Sequence, residues 1–135
     1  MNFFDAKLEK AAEGRYSVRI GDNVFPVTDA QQAALGKSDA EPMDIVLGIR
    51  PEHISLCGPG EKAPHIDAVV DVCEMMGSSM HLHVTAGDRD VVIVLQTVDL
   101  PVEKRSGFAY GEHISFTFEP ELMHVFSAGT EENLI

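Results

Sequence analysis

Apolar and polar residues alternate with a period of two along most of this chain, the spacing of strands with one face in a core and the other in water. Phe4, Ala6 and Leu8 alternate with Asp5, Lys7 and Glu9 over residues 3–10. Tyr16, Val18 and Ile20 repeat the pattern over 15–20, and a third short strand follows at 24–27. Glu13-Gly14 and Gly21-Asp22-Asn23 supply the turns, so this part reads as a β-meander. Thr28-Asp29-Ala30-Gln31 fits a capping box, with Thr28 as N-cap and Gln31 reaching back. The helix it opens is expected to last about one to two turns and to stop at Gly36. Residues 37–42 are polar and predict a loop.

The alternation lapses at Ile45-Val46-Leu47-Gly48-Ile49, an apolar run that predicts a central strand with little face left for water. Pro51 has no N–H to give to a ladder and biases Arg50 towards extended backbone, so pairing should lapse at Arg50-Pro51-Glu52 and resume at Ile54. Residues 57–64, with two Gly and two Pro, form a break and the expected seam between two packed halves of a single domain spanning 1–135. Alternation returns at 65–74, with Ile66, Ala68, Val70 and Val72 expected inward. Gly77 and the serines after it suit a hairpin into 80–85, where Met80, Leu82 and Val84 oppose His81, His83 and Thr85. Val91-Val92-Ile93-Val94-Leu95 predicts a second buried strand, 98–108 an irregular loop, and 111–118 a strand with Ile114, Phe116 and Phe118 on one face. Residues 119–121 end it, 122–126 make a short closing strand, and 127–135 a polar tail. About nine or ten short strands at hairpin spacing with one short helix predict an all-β fold, a barrel or a pair of barrels.

Composition narrows the function classes. The chain has 135 residues, 44% of them apolar, enough to bury a core and too many for a disordered chain. Ten Lys and Arg face 22 Asp and Glu, a formal charge of −12 that repels nucleic acid and anionic lipid. An oligonucleotide-binding barrel also wants a basic groove with stacked aromatics, which this sequence lacks. No run of about 18 apolar residues is present, the first residues lack the features of a secretory signal, and two cysteines fit a reduced, cytosolic setting.

Candidate chemistry is sparse. Arg50, Glu52 and His53 at the corner read either as a binding triad or as a structural lock, with the Arg50 fork paired to a carboxylate or to turn carbonyls; the second is favoured. His81 and His83 share a strand face and, with Glu74 or Cys73, form a weak zinc candidate, for which no further ligand stands at a recognised spacing. Cys57 beside His53 lacks an orienting third residue, so a nucleophilic role is not expected. Gly58-Pro59-Gly60-Glu61-Lys62 lacks phosphate-loop spacing, and no such loop occurs elsewhere; no ATPase activity is expected of this chain.

Four segments, in order, carry a resemblance. They are Asn2-Phe3-Phe4; Gly48-Ile49-Arg50-Pro51-Glu52-His53 behind an apolar strand; the stretch from Val72 to Val84 that holds Glu74 and Gly77; and Gly111-Glu112 through Phe116 with Leu122-Met123-His124-Val125-Phe126. Together they resemble the C-terminal regulatory domains of sugar-importing ABC transporter ATPases of the maltose-transporter family. The resemblance implies an OB-fold-like barrel, also called transport-associated (TOBE) or molybdate-type, with Gly48, Arg50, Pro51, Glu52, His53, Glu74 and Gly77 as structural signature residues. It implies no cofactor in this chain, since ATP and magnesium would bind an ATPase domain absent from it. Implied partners are a second copy of the subunit, the transporter's membrane subunits through the parent ATPase, and a regulator of sugar uptake, at the inner face of the cell membrane. The alternative is a small-ligand or oxyanion sensor, for which Arg50, Arg89, Lys104 and Arg105 are the available cations.

Overall fold

The computed structural model describes residues 1–21, 23–37, 39–57, 64–87, 89–129 and 134; among them the chain forms ten strands and one α-helix and divides into two compact units. The first unit holds residues 3–49 and 119–135 with Met1. The second holds 50–118 and, from the start of the chain, Asn2. Most of the seam expected at 57–64 lies outside the described residues; among the described ones the chain passes between units after Ile49 and after Phe118.

In the first unit, β1 (Asn2–Lys10), β2 (Tyr16–Ile20), β3 (Asn23–Pro26), β4 (Met43–Ile49) and β10 (His124–Ser127) form one sheet in the order β10-β4-β1-β2-β3. The alternating residues named above become its core: Phe4, Leu8, Tyr16 and Val18 are buried, joined by Ile45, Leu47 and Val125. β4 lies between β10 and β1, and four of the five residues of its apolar run are buried, as the run itself predicts. β10 starts at His124 rather than at 122, because Pro120–Leu122 closes a 3-10 turn first.

Helix α1 (Asp29–Lys37) opens on the capping box as expected: Gln31 N donates to Thr28 Oγ1 at 3.2 Å and Thr28 N to Gln31 Oε1 at 3.0 Å. It runs through Gly36 to Lys37 and is closed by a Schellman pair, Ala40 N to Leu35 O and Asp39 N to Gly36 O, both 3.1 Å. The left-handed position of that motif falls on Asp39, with φ of 50°. The stop signal is therefore Asp39, and Gly36 is an ordinary helical residue. Side-chain amides fasten the helix: Gln32 Oε1 accepts from Tyr16 N at 2.7 Å and its Nε2 donates to Gly14 O at 2.9 Å. The Tyr16 hydroxyl donates to Ala40 O at 2.6 Å in the interior.

In the second unit, β5 (Ile54–Leu56), β6 (Ile66–Met75), β7 (Ser79–Ala86), β8 (Arg89–Gln96) and β9 (His113–Phe118) pair antiparallel in the order β5-β9-β6-β7-β8, and β5 and β8 approach each other so that the sheet curls into a nearly closed barrel. Val70, Met80, Leu82, Val84, Ile93 and Phe116 fill it. This is the all-β, OB-fold-like architecture expected.

Two strands depart from the burial expected of them. Val72, expected inward, is 53% exposed, because β6 pairs Val70 with Val84 and then Val72 with His83, leaving Asp71 as the extra residue of a β-bulge. One inserted residue reverses the inside-outside parity of everything after it. The run in β8 is buried on one face only, through Val91, Ile93 and Leu95, since only the inward face of a barrel strand meets the core.

Candidate functional site

The corner after β4 is built by Pro51, which opens the 3-10 turn Pro51–His53; His53 N donates to Arg50 O at 2.9 Å and Ile54 N to Pro51 O, after which β5 begins at Ile54 as the sequence predicts. Gly48 sits on β4 where a side chain's first carbon would come within 2.6 Å of Met1 Sδ and 3.5 Å of the Phe126 ring. The Arg50 side chain is exposed and makes no hydrogen bond or ion pair among the described residues, and among these the corner is held by the backbone turn. The Nδ1 of His53 is buried without a hydrogen-bond partner among the described residues.

The outer face of the β6–β7 hairpin carries the histidine pair. Gly77 takes the left-handed conformation, φ of 79°, that the hairpin connection requires. His81 stands directly opposite Glu74, while His83 Nε2 reaches diagonally to Glu74 Oε1 at 2.5 Å. Among the described residues no group of three or more His, Cys, Asp or Glu side chains converges as a metal site would require. The two imidazoles and the carboxylate lie on a half-exposed strand face opposite Met80, Leu82 and Val84.

Sequence patterning did not reveal a cleft of about 1010 Å³ within the second unit. β5, the end of β8, the 3-10 turns Thr97–Asp99 and Val102–Lys104, and the start of β9 border it. Leu56, Leu95, Leu100, Phe108 and Ile114 give it an apolar floor, and Glu52, Asp67, Asp99, Glu103 and Glu112 an acidic rim. Lys104, the single Lys or Arg among the described lining residues, pairs with Glu112 and lies 5.0 Å from the centre of the Phe108 ring. The Lys104 ammonium and the Ala109 N–H, 3.1 Å away, hold the Glu112 carboxyl below its ordinary value of 4.5. Of the four cations named for an anion pocket, Lys104 alone reaches the cleft. Arg50 precedes the corner turn, Arg89 begins β8, and Arg105 is spent on the carbonyls of Leu100 and Val98.

Comparison with known proteins places these features in a family. The model of the TOBE domain matches residues 47–126, and that of the MalK OB fold domain matches residues 1–54. The chain is 31% identical over 122 residues to the sn-glycerol-3-phosphate import ATP-binding protein UgpC of Burkholderia ambifaria, covering 90% of this chain and 32% of that protein. It is 30% identical over 134 residues to the multiple sugar-binding transport ATP-binding protein MsmK of Streptococcus mutans, covering 97% and 33%. The UgpC of Psychromonas ingrahamii is 26% identical over 135 residues, 99% of this chain and 32% of the relative. The chain thus spans about a third of the length of the curated relatives it matches. Among solved structures, the cytoplasmic molybdate-binding protein ModG with molybdate bound shares the fold, with a TM-score of 0.71 at 12% identity over 93% of this chain and 95% of that one. An OB-like barrel, the Gly48–His53 corner and a family match covering more than half of the residues lead to one conclusion: this chain belongs to the TOBE domain family.

Proposed function

We infer that the chain serves as the regulatory and dimerisation domain of the ATP-binding subunit of a carbohydrate-importing ABC transporter. The observation that carries this reading is the pair of successive family matches, MalK OB fold then TOBE, along a chain whose relatives are named as import ATP-binding proteins. The domain performs no chemistry. ATP and magnesium bind elsewhere in the parent protein, and contact between two copies of this domain keeps two ATPase subunits at an effective concentration on the order of millimolar between turnovers. A regulator that binds this domain and the ATPase domain together in the open state slows uptake by its difference in affinity for the open and closed states. Such a subunit works at the inner face of the membrane beside the transporter's membrane subunits.

Sedimentation equilibrium over a micromolar to millimolar series tests this reading. A monomer–dimer equilibrium is expected; a monomer throughout, or ATP turnover by the purified chain, overturns it. A second reading, an oxyanion sensor, draws support from the fold shared with molybdate-bound ModG. Against it stand the acidic rim of the cleft and the neutralised Lys104. Saturable heat on titration with molybdate or sulfate would promote it over the first.

A further inference from the structure

The cleft of the second unit has open backbone on two sides. Cys57 N donates to Ser115 O at 2.9 Å, so residue 57 faces β9 and, by the alternation of antiparallel ladders, Leu56 turns its N–H and C=O away from that partner. On the other border, β8 pairs among the described residues with no strand but β7. The Asn2 side chain bonds Val92 twice, with Nδ2 to Val92 O at 2.7 Å and Val92 N to Oδ1 at 2.9 Å. Val92 therefore presents its polar groups at the free edge, and Val94, two residues on, does the same. Asn2 shows what this edge accepts, because its carboxamide supplies the donor and acceptor that a neighbouring strand would supply. Leu56 and Val94 both line the cleft, and neither has a further backbone partner among the described residues.

Charge states what kind of chain would fit. Glu52, Asp99 and Glu103 on the rim are exposed and have no ion pair or hydrogen bond among the described residues. Asp67 accepts from Ser115 Oγ at 2.6 Å with His65 Nε2 3.6 Å away, and Glu112 is matched by Lys104. Among the described residues the surplus is three free carboxylates around an apolar floor, with the one lysine already matched.

We propose that this cleft takes an extended, lysine- or arginine-bearing segment of a partner protein, whose main chain bonds the open edge of β8 at Val94 while its cations meet Glu52, Asp99 and Glu103. Main-chain bonds supply affinity, alternate side chains enter the apolar floor, and the rim selects for positive charge. The inference needs only the barrel of the second unit and stands apart from the pairing of ATPase subunits.

The test uses the whole chain, a synthetic peptide of alternating lysine and valine, and the same peptide with glutamate in place of lysine. Fluorescence anisotropy should show saturable binding of the lysine peptide alone, weakening as salt is added. The combined variant Glu52→Gln, Asp99→Asn, Glu103→Gln should raise Kd about tenfold, as three exposed ion pairs are lost. The control Glu41→Gln, an exposed carboxylate of the first unit, should leave it unchanged. The amide resonance of Val94 should shift on titration, a readout independent of the substitutions. Equal binding of the glutamate peptide, an unaltered Kd in the triple variant, shifts confined to other strands, or no binding overturns the proposal. So does loss of self-association in the triple variant without peptide, which would seat a second copy in the cleft.

Discussion

His83 Nε2 lies 2.5 Å from Glu74 Oε1 across the β6–β7 hairpin, and this contact exists because Asp71 is bulged out of β6. Without the bulge, the parity running from Ile66 through Val70 would carry Glu74 to the inner face. With it, Glu74 turns outward beside the two histidines, and Val72 takes the exposed position.

Paired substitutions check that shift of parity. Val72→Thr should change stability by less than about 0.5 kcal/mol, since the residue is exposed. Val70→Ala, at a fully buried position two residues earlier, should cost about 2 kcal/mol. Denaturant unfolding of the two variants measures both; a costlier Val72→Thr would place Val72 in the core and remove the bulge.

The interior hydroxyl of Tyr16 is a second test. Tyr16→Phe leaves the ring in place and strips Ala40 O of its donor, so a loss of about 1–2 kcal/mol is expected from chemical unfolding. An unchanged midpoint would show that this bond contributes nothing net.

Helix α1 can be improved. A methyl group at Gly36 meets nothing within 4 Å, so Gly36→Ala should raise stability by about 0.5–1 kcal/mol. Asp39→Gly should add a comparable increment by relieving the left-handed residue, while surrendering only a long ion pair of 3.9 Å to Lys10. Thermal unfolding of each variant and of the double variant reads the gain.

Glu112 makes stability depend on pH with a definite sign. Its carboxyl titrates below 4.5 in the folded chain, so the folded state favours the ionised form and the unfolded state takes up the proton first. The contribution is therefore present above the unfolded value and fades as pH falls through the lower, folded one. Unfolding free energies measured from neutral pH to about pH 3 should fall less steeply in Glu112→Gln than in the parent, with the difference confined to the acid end.

Much of this molecule was legible in one dimension because its signals are local. Alternation named Phe4, Leu8, Val18, Leu82 and Phe116 as core, Thr28 and Gln31 as a helix start, and Pro51 as the end of a strand, since each depends on residues a few positions apart. The Gly48–His53 corner and three further segments were enough to suggest the family that the comparisons then showed. Tertiary structure decided the rest. The bulge at Asp71 depends on which residues of β7 stand opposite, a fact absent from β6 itself. The one-sided burial of β8 follows from its place in the wall of a barrel, and the cleft gathers side chains from Glu52 to Ser115 that only pairing brings together. Period-two patterning reports that a face is buried, and says nothing of which strand lies beside it or which edge stays open.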